Sequence, residues 1–169
     1  MISDLRLEGL SLKTSPLGEY DRLITILSDQ EGITRLAVPG ARRPKSSLAA
    51  ATPLNLLELQ IGGRSGLRRV RQMKILKSYS KVGQRIETLA AAQALMELTL
   101  MLVATNDPLP GMLSTVLFHL EKLEHSTNNI NTCRTNILAE SIQSCVHLLA
   151  LGGYGIPVQR CCITGLPLD

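Results

Sequence analysis

Three cations crowd into four positions of one loop, Gly40-Ala41-Arg42-Arg43-Pro44-Lys45-Ser46, and no acid lies nearby. A glycine opens this loop and a proline interrupts it, so its charges must sit in water or against an anion. The bias extends well beyond it. From Arg35 to Lys81 the chain carries eleven Lys/Arg (35, 42, 43, 45, 64, 68, 69, 71, 74, 77 and 81) against one acid, Glu58. Such density repels itself unless a polyanion neutralises it, which points to phosphate binding. Arg42, Arg43 and Lys45 lead the candidates, joined by Arg35 and Lys74. Arg64, Arg68, Arg69 and Arg71 sit on or beside a glycine-rich hairpin. Their plainer reading is a solvated loop and a charged outer strand face. Lys13 and Arg22 are weaker candidates, because Glu19 and Asp21 are close and Arg22 suits an internal ion pair as well as a phosphate.

Other chemistries find little support. His119, His125 and His147 fall in or beside helical segments, and none has a cysteine nucleophile within helical reach in a cationic setting. Cys145 and His147 are two apart and so point to different helix faces; His147 reads as a partly buried helix residue. The basic half holds no carboxylate cluster that could grip Mg²⁺. Gly62-Gly63-x-x-Gly66 precedes a strand and is no phosphate loop. No catalytic residue, metal or cofactor is expected.

The elements that would position these side chains change character near residues 79–84. Residues 3–79 alternate with a period near two. Leu5 and Leu7 take one phase, Leu10 and Leu12 the other, with a bulge expected at Gly9. Ser15–Gly18 reads as a turn, Leu23–Leu27 as a strand apolar on both faces, Asp29–Gly32 as a turn and Ile33–Val38 as a strand. A single helical turn is expected over Ser47–Ala51. Strands over Leu54–Ile61 and Leu67–Tyr79 flank the hairpin tip Gly62–Gly66. Five strands with a short helix after the third fit a Greek-key barrel of the OB type, and an SH3-like barrel is also permitted. From Gln84 the period is helical. Gln84–Thr105 is apolar nearly all round and reads as a central bundle helix, with Met112–Glu124 following. Ser126–Asn131 reads as a polar loop. A third helix, capped by Asn131 or Thr132, shows a stripe of Leu138, Ile142, Cys145 and Leu149. The expected organisation is α+β: a five-stranded OB-fold barrel over residues 1–80, then an all-α bundle over 84–169.

Charge divides at the same place. Residues 1–82 hold fourteen bases and seven acids, a balance of +7, while 83–169 hold four bases and seven acids, −3. Asp4, Arg6 and Glu8 break up any secretory signal, and the apolar run Leu89–Ala104 is too short and polar to span a membrane. Four cysteines in such a chain suit reduced thiols, so a cytoplasmic setting is expected.

Several segments together resemble the RecO family of recombination mediators. They are Leu12-Lys13-Thr14 leading to Gly18-Glu19-Tyr20-Asp21-Arg22-Leu23 and Thr25; the Gly40–Ser46 loop; and Leu151–Gly155 followed by Arg160-Cys161 and Gly165–Leu168. The resemblance implies an OB fold with a helical domain, and binding of single- and double-stranded DNA. It also implies strand annealing and loading of RecA onto DNA coated by single-strand-binding protein. RecR and the acidic tail of that binding protein are the implied partners. Many relatives carry a Cys-x-x-Cys zinc pair; here Cys161 is in register, but Thr164 takes the second position and Cys162 is merely adjacent. No zinc is expected. The family continues with further helices, so a fragment or a diverged short form is expected. Only Tyr20 and Tyr79 supply aromatic rings in the basic half, so binding should be directed at phosphates, sensitive to salt and weakly selective for strand state. A protein-interaction adaptor with a basic face, or an RNA-binding OB protein, would share the charge pattern.

Overall fold

In the computed structural model the described residues are 5–63, 66–128, 134–155, 159–161 and 163–167. Five strands come first: β1 (Leu5–Leu17), β2 (Asp21–Ser28), β3 (Gly32–Val38), β4 (Asn55–Gly62) and β5 (Arg69–Ser78). They close into a barrel in the order β1-β2-β3-β5-β4, antiparallel except where β3 meets β5. A 3-10 turn (Ser80–Gln84) leads into α1 (Ile86–Leu102), α2 (Met112–Asn128) and α3 (Arg134–Leu151). The architecture is α+β, with an OB-type barrel followed by helices. No described helix is long and apolar enough to cross a membrane.

Two apolar clusters explain the strand patterns. Leu7, Ile24, Ile26, Leu36, Leu57 and Leu59 fill the barrel. Leu10, Leu12, Leu27, Ile33, Leu54 and Tyr79 belong instead to a cluster shared with α1, α2 and α3. This is why β1 changes phase. Leu7 and Leu10 are an odd number of residues apart and so serve opposite faces without any bulge between them. The register slips further along, between Ser11 and Lys13, and not at Gly9. Gly9 is needed for another reason: an added Cβ would lie 2.7 Å from the Leu27 carbonyl oxygen, so the glycine lets β1 and β2 approach.

Other boundaries also move. Ser15, Pro16 and Leu17 continue β1, paired to Leu23, Arg22 and Asp21, so the turn is Gly18–Tyr20. Pro16 is tolerated there because it lies at the strand's end, beyond the stretch that pairs with β4. Ser47–Ala51 forms successive tight turns without a helix. Residues 103–105, expected in the first helix, leave it, because Thr105 bridges to Gly32 and Ile33 instead. Each of the three helices packs against the other two, and Gln93, Glu97 and Met101 give α1 an exposed side. Ser126 and Thr127 are not in a loop. They are buried in the last turn of α2, where the Ser126 hydroxyl faces both Glu140 carboxylate oxygens at 3.0 and 2.8 Å. The proposed caps Asn131 and Thr132 lie outside the described residues.

The stripe expected on α3 is rotated. Ile137, Ser144 and Leu148 are its buried positions, while Leu138 and Ile142 are 59% and 57% exposed. Small Ser144 lets α3 pack closely, a signal that apolar periodicity cannot carry. His147 is exposed; His119 is the buried member of a pair whose Nε2 and Nδ1 stand 3.1 Å apart.

Candidate nucleic-acid interface

The basic loop is anchored to the barrel. Ala41 within it and Ala51 beyond it are both buried in the barrel cluster. The Gly40 N–H donates to Asp21 Oδ1 at 2.8 Å, and the Arg42 N–H donates to the Tyr20 carbonyl at 2.9 Å. Arg42 Nη1 donates to the Gly18 carbonyl at 3.1 Å, and the Arg43 guanidinium lies 5.0 Å from the Tyr20 ring centre. Arg22 Nη1 donates to the carbonyls of Ala49 and Ala51 at 3.2 and 3.1 Å, so it holds the loop through carbonyls and not through an ion pair. Arg42, Arg43 and Lys45 are all exposed on this anchored loop. Lys45 has a φ of 58°, a strained conformation for a residue with a Cβ.

Strand register gathers further cations on the outer barrel face. Lys13 pairs with Thr25, and Thr25 with Arg35, so the two cations flank one threonine in a row across β1, β2 and β3. Two strand spacings put them roughly 10 Å apart. The next row on that face runs Ser15, Leu23, Ala37 and Arg69. Lys13, Arg35 and Arg69 are all exposed, with no partner among the described residues.

The remaining candidates are placed differently. Arg68 donates from Nη1 and Nη2 to the Glu31 carboxylate at 2.8 and 2.5 Å, tying the start of β5 to the β2–β3 turn. That fork from Arg68 holds the Glu31 carboxyl below its ordinary range; burial pulls the other way, and the Arg68 charge and the Thr34 hydroxyl add to the lowering. The Arg71 side chain lies over Gly62, where a Cβ would collide with its guanidinium. Lys74 is exposed and pairs in register with Glu58, which Arg6 approaches at 3.4 Å. Lys77 meets Glu121 of α2 at 2.6 Å. Arg64 lies outside the described residues.

Sequence reasoning missed Glu31 as an anchor, since its partner Arg68 lies 37 positions away and only the fold brings the two together. It also missed the setting of Tyr20. Tyr79 is buried, so Tyr20, 46% exposed beside Arg43, is the accessible ring of the basic half.

Near the C-terminal end of the described residues, Arg160 and Pro167 form an isolated antiparallel bridge. The Cys161 N–H donates to the Leu166 carbonyl and the Gly165 N–H to the Cys161 carbonyl. The Thr164 side chain, with the backbone of Thr164 and Ile163, lowers the Cys161 thiol below its usual range. Cys162 lies outside the described residues. Among those described, no three His, Cys, Asp or Glu side chains come together as a metal site.

The chain was compared with known proteins. The family described as "Recombination protein O N terminal" matches residues 1–79, and "Recombination protein O C terminal" matches 83–169. The DNA repair protein RecO of Prochlorococcus marinus (strain MIT 9303) is 66% identical over 169 residues, all of this chain and 63% of that protein. Its namesake in Synechococcus sp. (strain CC9311) is 58% identical over 180 residues, covering 100% of this chain and 66% of the relative. That of Cyanothece sp. (strain PCC 7425 / ATCC 29141) is 34% identical, covering 99% and 56%. The chain therefore spans under two thirds of the length of these curated relatives.

Proposed function

The chain belongs to the RecO family, and from that premise we propose that it acts in DNA repair and recombination by holding DNA through its phosphates. The observation that carries this reading is the set of exposed cations: Lys13, Arg35 and Arg69 on the barrel face, with Arg42, Arg43 and Lys45 on the anchored loop. Exposed cations neutralise phosphates and release their counterions. One accessible ring leaves base faces largely uncovered. Two complementary strands held this way repel each other less and keep their pairing edges free, which promotes annealing. Residues 1–80 serve as the DNA-holding unit, and residues 84–169 serve as scaffold and docking unit. Single- and double-stranded DNA are the ligands, RecR is a partner, and RecA loading onto coated DNA follows from displacing single-strand-binding protein. The acidic tail of that protein would enter the cavity of about 450 Å³ between α1 and α3, whose lining is mainly apolar and includes Arg134 as well as Glu87. No step of this reading requires catalysis, and the work is done at the nucleoid.

Annealing of complementary oligonucleotides, with and without single-strand-binding protein, tests it. The Arg42→Ala/Arg43→Ala/Lys45→Ala variant should lose about tenfold or more in DNA affinity, with a salt slope shallower by roughly two to three counterions. Unchanged annealing would remove the loop from the mechanism. No DNA binding even at low salt would favour an adaptor, and a strong preference for RNA would redirect the reading to that ligand.

A further inference from the structure

β5 is held firmly on one side only. β4 pairs along it from Asn55–Ser78 to Gly62–Arg69, whereas β3 reaches it at the single bridge Ala37–Arg69. Among the described residues, no other backbone hydrogen bond reaches that second edge between Val70 and Ser78. The strand bulges at Leu76, since Leu57 pairs with Ile75 and Leu56 with Lys77, and the bulge leaves Ile75 and Leu76 45% and 41% exposed beside exposed Lys74. An open row of amides and carbonyls beside two exposed apolar side chains is a template for a further strand.

We infer that this edge of β5 accepts an extended, acidic segment of a partner protein by strand addition. Backbone pairing would supply the affinity, and Ile75 and Leu76 would receive its apolar side chains. Charge selects the occupant. β5 carries no acid and exposes Arg69 and Lys74, so glutamates or aspartates on the incoming strand are complementary, while Lys77 is already held by Glu121. A second copy of the chain is disfavoured, because β5 beside β5 would set cation against cation. A nucleic acid would use Arg69 and Lys74 but leave Ile75, Leu76 and the open amides unused. This docking stands whether or not the barrel binds DNA.

The test uses the full chain and a labelled peptide of about ten residues, alternating Glu and Val, matching a strand the length of β5. Fluorescence anisotropy should show binding that weakens about tenfold or more when alternate peptide amides are N-methylated, and again in the Lys74→Glu variant. Hydrogen exchange should slow at those β5 amides that face away from β4. Equal affinity of the N-methylated peptide would reduce the contact to charge alone and overturn the inference. So would unchanged exchange at β5, or absence of binding. Protection of the same amides by an oligonucleotide, or by self-association without peptide, would assign the edge to another occupant.

Discussion

Arg68 and Glu31 show how one residue type carries two meanings. Among eleven cations read as a phosphate surface, Arg68 spends its fork on a carboxylate whose side chain is only 22% exposed. Nothing in local spacing separates it from Arg69, which faces outward, because the partner lies 37 positions away. The candidate site was thus legible as a surface but not as a division of labour. Density of charge is visible in sequence; which charge is consumed internally depends on tertiary closure. Removing the acid tests the point. Glu31→Gln should cost about 1–2 kcal/mol near neutral pH, since Arg68 keeps a partner but loses an opposite charge. The sign with pH is fixed by the lowered carboxyl. The unfolded chain takes up a proton near the ordinary 4.5, whereas folded Glu31 resists until lower pH. The stabilisation is therefore complete above that ordinary value and disappears as pH falls through the lowered one. Urea unfolding of wild type and variant at several pH values should show the gap closing in acid. A gap that persists there would mean that shape, not charge, holds the turn.

Elements were legible where one face is apolar and the other polar, as in β4, whose Leu57, Leu59 and Ile61 oppose Glu58 and Gln60. They were misread where that contrast fails. β1 serves two cores, so its phase change at Gly9 reflects two buried faces, and α3 packs through Ser144 while showing Leu138 and Ile142 to solvent. The α2–α3 contact also contains a buried imidazole, His119, 2% exposed. Burial first, then the facing His147 and the charge of Lys122, depress its pKa from 6.5 to about 4. The unfolded chain therefore binds this proton more readily than the folded one. Stability is retained above about 6.5 and falls as pH drops towards 4. The loss between neutral pH and about pH 5 should be on the order of 1–2 kcal/mol after allowance for solvent near exposed His147. His119→Gln should lower stability overall yet flatten this slope in thermal or urea unfolding. An unchanged slope would place the titration elsewhere.

At the scale of the molecule, barrel and helices are joined by main chain as well as by side chains. The Ile33 N–H donates to the Ala104 carbonyl and the Asn106 N–H returns to the Ile33 carbonyl, at 3.3 and 3.0 Å. Gly32 makes the crossing possible. Its φ is +63°, and any Cβ would fall inside the contact radius of the Asp107 carbonyl. Gly18 has nearly the same φ, +62°, with nothing within 4 Å. Gly18→Ala should therefore cost only about 1–2 kcal/mol, the price of the left-handed backbone alone. Gly32→Ala should exceed it by about 2 kcal/mol or more, measured by denaturant unfolding. Equal costs would show that the junction yields easily. The shared core has a consequence in time. Leu10, Leu12, Leu27, Ile33, Leu54 and Tyr79 are covered by side chains reaching as far along the chain as Leu148. During synthesis at about 5–20 residues per second, the strands wait roughly 4–14 seconds for their last cover. Throughout that interval the nascent first half carries a bare apolar strip together with a balance of +7 over residues 1–82. Mutual repulsion between such half-made chains opposes their sticking together.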